Sequence, residues 1–192
     1  MEYSLNTLYF LVMGTLVMWM ATGFTMLEAG SIRSKNVTEI LIKNVALYSV
    51  ASISFLLAGY GLMYGWNPPD DHALWSDFFF QVVFVATAMS VVSGAVAERK
   101  KLWTFLLFAS IFTALIYPIQ GAWSWGGGWL SARGFFDFAG SGIVHLAGAS
   151  AALAVVLLLG PRIGKYDENG LPKPIHGSNA AQVALGTLIL WM

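Results

Sequence analysis

The sequence predicts an all-α protein that crosses a membrane several times. Hydrophobic residues make up 57% of the 192 residues and charged residues only 10%, whereas a soluble domain carries about 25% charged residues. Five apolar runs reach the length of about 20 residues that a helix needs to cross a bilayer. The basic residues are concentrated in the loops on one side of these runs. Together these observations predict a polytopic helical membrane protein.

The five predicted spans are separated by polar or glycine-rich loops. Their bounds are residues 8–29, 45–66, 78–97, 102–120 and 138–160. A sixth apolar run, residues 179–192, is shorter than a crossing requires, so we expect only part of a helix there. The N-terminal segment MEYSLNTLYF lacks the basic region of a signal peptide, so we expect the first run to remain as a span.

The placement of the basic residues predicts the topology. Every Lys and Arg except Arg133 falls on one side of the spans: Arg33, Lys35, Lys43, Arg99, Lys100, Lys101, Arg162, Lys165 and Lys173. Basic loops stay in the cytoplasm under the positive-inside rule. We therefore expect a multi-pass protein of the cell (inner or plasma) membrane, in contact with lipid and with its N-terminus outside.

The composition also excludes several classes of function. The net charge is zero and no basic run suggests a nucleic-acid partner. The chain has no cysteine, which excludes disulfides, zinc–thiolate sites and cysteine nucleophiles. No paired carboxylates, nucleophile–base set or metal-ligand cluster falls inside the spans. We therefore expect no enzyme, no metal site and no cofactor.

The fifth span carries two ionisable residues. Asp137 stands just before the apolar run, where its carboxylate could cap the helix and stay ionised. Alternatively or in addition, its charge could favour a cation near the outer mouth. His145 lies inside the run, where a polar group is costly and usually faces the bundle interior or a pore. It could bond the backbone of a neighbouring helix, or line a pore.

The fifth span is also rich in small residues, which allow close helix approach in lipid. They are Gly140, Gly142, Ala147, Gly148, Ala151 and Ala152. This pattern predicts a helix buried in a bundle.

Aromatic residues cluster at two places. The loop WSWGGGW, residues 123–129, holds tryptophans that could anchor the chain at the membrane interface or hold a cation over one indole face. Phe80 and Phe84 share one face of the third span. They could pack against lipid and protein, or form a hydrophobic constriction.

The remaining ionisable residues near the spans have simpler interpretations. We expect Glu28 and Glu98 to pair with neighbouring cations at the membrane interface. We expect His72 and His176, which lie in loops, to be solvated.

Four stretches together resemble the ammonium transporter family (Amt/Rh/Mep). They are GFTMLEAGSIRSKNV at 23–37, FQVVFVATAMSVVSGAVAER at 80–99, WGGGWLSARGFFDFAGSGIVHLAGA at 125–149 and GPRIG at 160–164. They cover nearly the whole chain in the family's order. The resemblance implies the first five-helix half of an 11-helix inverted-repeat channel, plus part of helix six.

The resemblance also implies roles for matching residues. Trp125 would be the indole of the outer ammonium-recruitment site, with Phe84 in its gate ring and Phe80 as the nearby aromatic residue. Asp137 would support the site from behind, and His145 would be the first of two pore histidines. The second histidine and the other half of the pore wall would lie beyond Met192.

The implied mechanism is recruitment of ammonium, its deprotonation, and passage of ammonia and the proton along a hydrophobic pore lined by histidine. The family resemblance implies a homotrimer and a cytoplasmic PII-type regulator. An alternative is an ammonium sensor, because some members are fused to signalling domains and bind ammonium without conducting it. The two are distinguished by sequence that lies outside this chain.

Overall fold

The protein is built from helices that run back and forth across a bundle. The computed structural model describes residues 1–192. Its helices are α1 (Glu2–Ser31), α2 (Ser34–Met63), α3 (Leu74–Ala95), α4 (Leu102–Ala122), the short α5 (Trp129–Ala132), α6 (Ser141–Leu159) and α7 (Ala180–Trp191). The predicted all-helical membrane fold is confirmed, because five of them (α1, α2, α3, α4 and α6) are long and apolar enough to cross a membrane.

Two helices begin well before the predicted spans. α1 begins at Glu2 and α2 at Ser34, whereas the predicted spans begin at residues 8 and 45. Hydropathy marks only the apolar part of a helix, and the backbone hydrogen bonds continue past it into polar residues. In α2 the reason is specific, because the polar Lys43 and Asn44 are buried in the bundle and not exposed in a loop.

α3 lies at the centre of the hydrophobic core. Val85, Ala86, Ala88, Met89 and Val92 are fully buried on it. α1, α2 and α6 all pack against this helix. A helix that is apolar on every side is stable only when protein or lipid covers each face. α3 therefore sets the positions of the side chains that project from it.

α6 is buried on one face only within this chain, whereas the sequence predicts a helix buried in a bundle. Its small-residue face packs closely on α3: a Cβ at Gly148 would lie 2.6 Å from the carbonyl oxygen of Ala88. The opposite face is exposed, with Leu157 and Leu158 75% and 87% accessible. The small residues therefore allow one close helix contact, the one between α6 and α3.

α7 packs on α1 through close backbone contacts. A Cβ at Gly186 would lie 2.5 Å from the backbone nitrogen of Leu27, and one at Gly30 would lie 2.6 Å from the carbonyl oxygen of Asn179. Asn179 caps α7 by accepting a hydrogen bond from the N–H of Gln182 at 3.1 Å. These contacts hold the incomplete sixth span against the first.

Two glutamates near the C-terminal ends of α1 and α3 form ion pairs. Glu98 has a φ of 62°, a backbone conformation uncommon outside glycine. Its carboxylate is bonded by Arg33 at 3.0 Å, Asn36 and Arg162 at 3.1 Å. The predicted pairing is thus present, although the partners are remote in sequence. Glu28 pairs with Lys43 at 3.0 Å inside the bundle, not at its interface as predicted.

Candidate solute site at the Trp125 end

The carboxylate of Asp137 caps the start of α6. One oxygen accepts from the N–H of Gly140 at 3.0 Å and the hydroxyl of Ser141 at 3.2 Å. The other accepts from the N–H groups of Gly142 at 2.9 Å and Ile143 at 2.8 Å. The first turn of a helix leaves such N–H groups without partners. Asp137 supplies the predicted capping interaction, although it lies three residues before Gly140, the residue that occupies the N-cap position.

The same hydrogen bonds keep Asp137 ionised. Burial, with the residue 7% exposed, opposes the charged form. The hydrogen bonds from Ile143, Gly142, Ser141 and Gly140 outweigh burial and lower the pKa of the Asp137 carboxyl. A negative charge at neutral pH therefore lies at the N-terminal end of α6, where the helix dipole also favours it.

Trp125 is fixed against the segment that Asp137 organises. Its indole N–H donates to the backbone carbonyl of Asp137 at 2.6 Å. Gly140 makes room for the ring: its φ is 81°, and a Cβ there would lie 3.1 Å from the indole and 2.7 Å from Val144. The indole N–H is therefore already bonded within the protein, and the ring offers its π face to whatever lies beside it.

Phe80 and Phe84 continue an aromatic row that starts at Trp125. The rings of Phe84 and Trp125 are 5.8 Å apart between centroids, and those of Phe80 and Phe84 are 5.0 Å apart. Both contacts are edge-to-face, the arrangement that aromatic pairs prefer. Phe10 of α1 extends the row, 5.1 Å from Phe80. Residues from α1, α3 and the loop before α5 are thereby brought to one place.

The row ends at His72, which corrects the prediction of a solvated loop histidine. Its ring stacks 4.3 Å from that of Phe10, and its side chain is only 12% exposed. Its Nδ1 lies 2.7 Å from Asp71. His176 is exposed, in agreement with the prediction.

A cavity of about 280 Å³ opens beside this row. Its lining residues are Tyr64, Phe80, Gln81, Phe84, Trp125, Phe138 and Ala139. Three of the residues singled out from the sequence therefore meet at one cavity: Phe80, Phe84 and Trp125. Asp137 lies behind it, bonded to Trp125 and not exposed to the cavity.

Sequence reasoning missed the polar residues of this cavity. The Tyr64 hydroxyl donates to Gln81 at 2.9 Å, and Gln81 donates in turn to the buried Asp77 at 3.2 Å. The Tyr60 hydroxyl also donates to Asp77. The spacing of Asp77 and Gln81, four residues apart on one helix face, was the available signal. Their tyrosine partners come from α2 and the loop after it, which no local pattern connects to α3.

His145 lies at a different place from the cavity. It belongs to the first, π-helical part of α6, Ser141–Leu146, and its backbone N–H donates to Gly140 at 3.0 Å. Its side chain is exposed on the face that also carries Ser141 and Ala149. The sequence placed it in the bundle interior or a pore. In this chain it lies on the open side of α6, and its role in a pore stays a prediction.

The arrangement suits a small cation better than a metal ion. No three His, Cys, Asp or Glu side chains come together as metal ligands. The cavity instead offers aromatic π faces, whose negative potential attracts cations. The ionised Asp137 adds a negative charge behind Trp125. The polar edge of the cavity, formed by Gln81 and Tyr64, can orient an N–H donor.

Comparison with known proteins identifies the family of this chain. The sequence profile of the Ammonium Transporter Family matches residues 8–192. The chain is 43% identical to the ammonium transporter Amt2 of Archaeoglobus fulgidus over 99% of this chain and 46% of that protein. A solved sensor Amt protein superposes with a TM-score of 0.93 and 34% identity, over 99% of this chain and 53% of that one.

More distant structures share the fold. The crystal structure of Candida albicans Mep2 has a TM-score of 0.82 at 25% identity, over 97% of this chain and 46% of that one. The chain thus spans about half the length of the relatives it matches. The profile match over nearly all residues, together with the fold and the aromatic cavity, shows that this chain belongs to the ammonium transporter family.

Proposed function

We propose that this chain forms the N-terminal half of an ammonium channel and recruits ammonium at the Trp125 cavity. The single observation that carries the proposal is the cavity lined by Phe80, Phe84 and Trp125, with the ionised Asp137 behind it. A cation over aromatic faces gains up to about 2 kcal/mol or more when water is excluded. Ammonium is small enough for the cavity and can donate hydrogen bonds to its polar edge.

In this proposal ammonium loses its proton before it crosses. A bare charge in a dry apolar passage costs far more than a neutral molecule that makes one hydrogen bond. In the roles that the family resemblance implies, Phe84 belongs to the gate with Phe80 nearby, and ammonia then continues past His145. The imidazole of His145 can both donate and accept a hydrogen bond, so it can assist ammonia and the proton.

The proposal includes an orientation and an assembly. The Trp125 cavity faces the outside together with the N-terminus, since the basic loops lie at the other end of the bundle. Three copies, each with its own pore, form the complex, and a PII-type regulator binds at the cytoplasmic side. These features come from the family resemblance and from the charge pattern.

A second candidate function is an ammonium sensor. The similarity to a sensor Amt protein, with 34% identity and a TM-score of 0.93, is the observation that favours it. A sensor would use the same cavity to bind ammonium, but binding would not lead to flux.

The substitution Trp125→Leu tests both functions. Because it removes the π face and the bond to Asp137, we expect uptake of labelled methylammonium at limiting concentration to fall about tenfold, equivalent to 1.4 kcal/mol. The assay uses the full-length natural gene product in cells without other ammonium uptake. Trp129→Leu is the matched control, because Trp129 is 50% exposed and lies outside the cavity.

The result separates transport from sensing. Uptake that falls with Trp125→Leu and not with Trp129→Leu supports the channel. Ammonium binding in calorimetry that depends on Trp125, without uptake by the parent protein, supports the sensor. If Trp125→Leu changes neither binding nor uptake, the cavity is not the recruitment site.

A further inference from the structure

A second cavity lies at the opposite end of the bundle from Trp125. It measures about 390 Å³ and is lined by the ends of α1 and α3 and by two arginines of the following loops. Its polar lining consists of Glu28, Ser31, Ser90, Arg99 and Arg162. No residue of this cavity takes part in the aromatic site.

Glu28 lines this cavity and has one carboxylate oxygen without a hydrogen-bond partner. Its Oε2 accepts three hydrogen bonds, from Lys43 at 3.0 Å, Asn44 at 3.2 Å and Ser93 at 3.0 Å. Its Oε1 is buried and accepts none. On the α3 side Oε1 faces Gly94, where an added Cβ would lie 3.6 Å from it.

Arg99 presents an unpartnered donor to the same cavity. Its Nη1 donates to the carbonyl of Gly160 at 2.7 Å, which fixes the guanidinium. Its Nε–H is buried and has no acceptor. Buried polar groups are nearly always hydrogen-bonded, and exceptions call for an explanation such as a bound water or ligand. Two residues that line one cavity therefore each carry a buried polar atom without a partner, an acceptor on Glu28 and a donor on Arg99.

The charge around this cavity disfavours a cation. Glu28 and Glu98 are outnumbered by the basic side chains that pair with them or line the cavity: Arg33, Lys43, Arg99 and Arg162. An ammonium ion would be repelled here, whereas a neutral molecule would not.

We propose that Glu28 Oε1 and the Arg99 Nε–H form an inner binding site for a small neutral molecule that has both a lone pair and N–H or O–H bonds. Ammonia fits, with its lone pair accepting from Arg99 and an N–H donating to Glu28. The inference rests on the proposed function, because it places ammonia near the end of its passage. Water shares this chemistry, so the test must distinguish the two.

Solid-state nuclear magnetic resonance can detect ammonia directly at Glu28. The full-length gene product, with ¹³C only at its glutamate carboxyl carbons and nitrogen at natural abundance, is placed in liposomes with ¹⁵N-ammonium chloride. Dipolar recoupling between ¹³C and ¹⁵N then reports only on the added nitrogen. We expect one glutamate signal to be dephased, increasingly so as rising pH converts ammonium to ammonia.

Three variants test whether the dephased signal comes from Glu28 and whether it depends on Arg99. Glu28→Gln removes the labelled carboxyl, so the dephased signal should be lost. Arg99→Lys keeps a donor for the Gly160 carbonyl but removes the Nε–H, so the dephasing should fall at least twofold. Arg162→Lys is the matched control, since Arg162 lines the same cavity but its Nη1 is already bonded to Glu98. If Glu28→Gln does not fold, because Lys43 is left without its counter-ion, Arg99→Lys and the parent protein still decide.

The other outcomes overturn the inference. No dephasing in the parent protein means that water alone occupies the site. Dephasing that is strongest at acid pH means that a cation binds, against the charge argument. Dephasing that survives Glu28→Gln belongs to another glutamate. Uptake without dephasing overturns the inner site alone, whereas dephasing without uptake overturns transport and leaves the inner site in place.

Discussion

At the residue scale, Asp137 has two structural roles, one through its side chain and one through its backbone. Its carboxylate satisfies the first N–H groups of α6, and its backbone carbonyl fixes the Trp125 indole. The cap that starts the helix therefore also positions the aromatic site. A change at this position is therefore expected to affect both the start of α6 and the position of the Trp125 ring.

Replacement of Asp137 by Asn should lower stability and uptake together. The amide keeps one acceptor oxygen but points an N–H₂ group at backbone N–H donors, a mismatch of roughly 1–3 kcal/mol. The pKa of Asp137 is lowered in the folded protein. Its stabilisation is therefore present above the unfolded pKa of about 3.9 and lost as the pH falls through the folded value.

Thermal unfolding in detergent between neutral and acid pH measures this contribution. Asp137→Asn should unfold at a lower temperature than the parent at neutral pH and lose less stability on acidification. Asp70→Asn, at an exposed loop position, is the control. An acid profile of Asp137→Asn identical to that of the parent would show that the cap contributes nothing.

At the scale of elements, the contact between α6 and α3 depends on a single missing side chain. A Cβ at Gly148 would approach the carbonyl oxygen of Ala88 to 2.6 Å and the Val91 side chain to 3.0 Å. The first of these atoms belongs to the backbone of α3, which cannot move without disturbing the core. α6 can stay in place only while position 148 is glycine.

Gly148→Leu should therefore displace α6, while Ala149→Leu should not. The first adds bulk against α3 and should cost about 1–3 kcal/mol, as overpacking does. The second adds bulk on the exposed face. Thermal unfolding and methylammonium uptake of the two neighbouring variants provide the comparison. Equal loss in both variants would contradict a role for close packing at Gly148.

The sequence predicted the elements better than their ends. The five spans follow from apolar runs, which report directly on burial in lipid or protein. The start of α2 was missed because Lys43 and Asn44 look like loop residues until Glu28 is placed beside them. A buried ion pair depends on two helices, and hydropathy examines one segment at a time.

The candidate site could also be predicted only in part from the sequence. Phe80, Phe84 and Trp125 were identified from family motifs, and the structure brings them to one cavity. Tyr64 and Gln81 were missed because their contact joins α3 to the loop after α2. The stacking of His72 on Phe10 was missed for the same reason. Long-range contacts of this kind depend on the packing of the whole bundle.

At the scale of the whole molecule, one side of the bundle is apolar yet carries an imidazole. Leu153, Leu157 and Leu158 are exposed along α6 together with His145. Lipid suits the leucines, but a histidine facing lipid is costly. We expect this side to lie against protein in the membrane.

Native mass spectrometry from mild detergent tests that expectation. A single copy of this chain has a mass of 20.8 kDa. The complex that contains it should be several times heavier, with three equivalent units if the proposed trimer forms. His145→Leu, which removes the polar group while keeping the apolar face, should not reduce the mass. A particle of 20.8 kDa would show that lipid alone covers α6.

The Glu98 ion pairs have a consequence for the order in which the chain is made. Arg33 precedes Glu98 by 65 residues, and Arg162 follows it by 64. A growing chain can therefore join α1 to the end of α3 as soon as Glu98 leaves the ribosome. The second arginine arrives only after α6 has been inserted. The cluster of ion pairs around Glu98 can therefore be complete only once the loop after α6 has been synthesised.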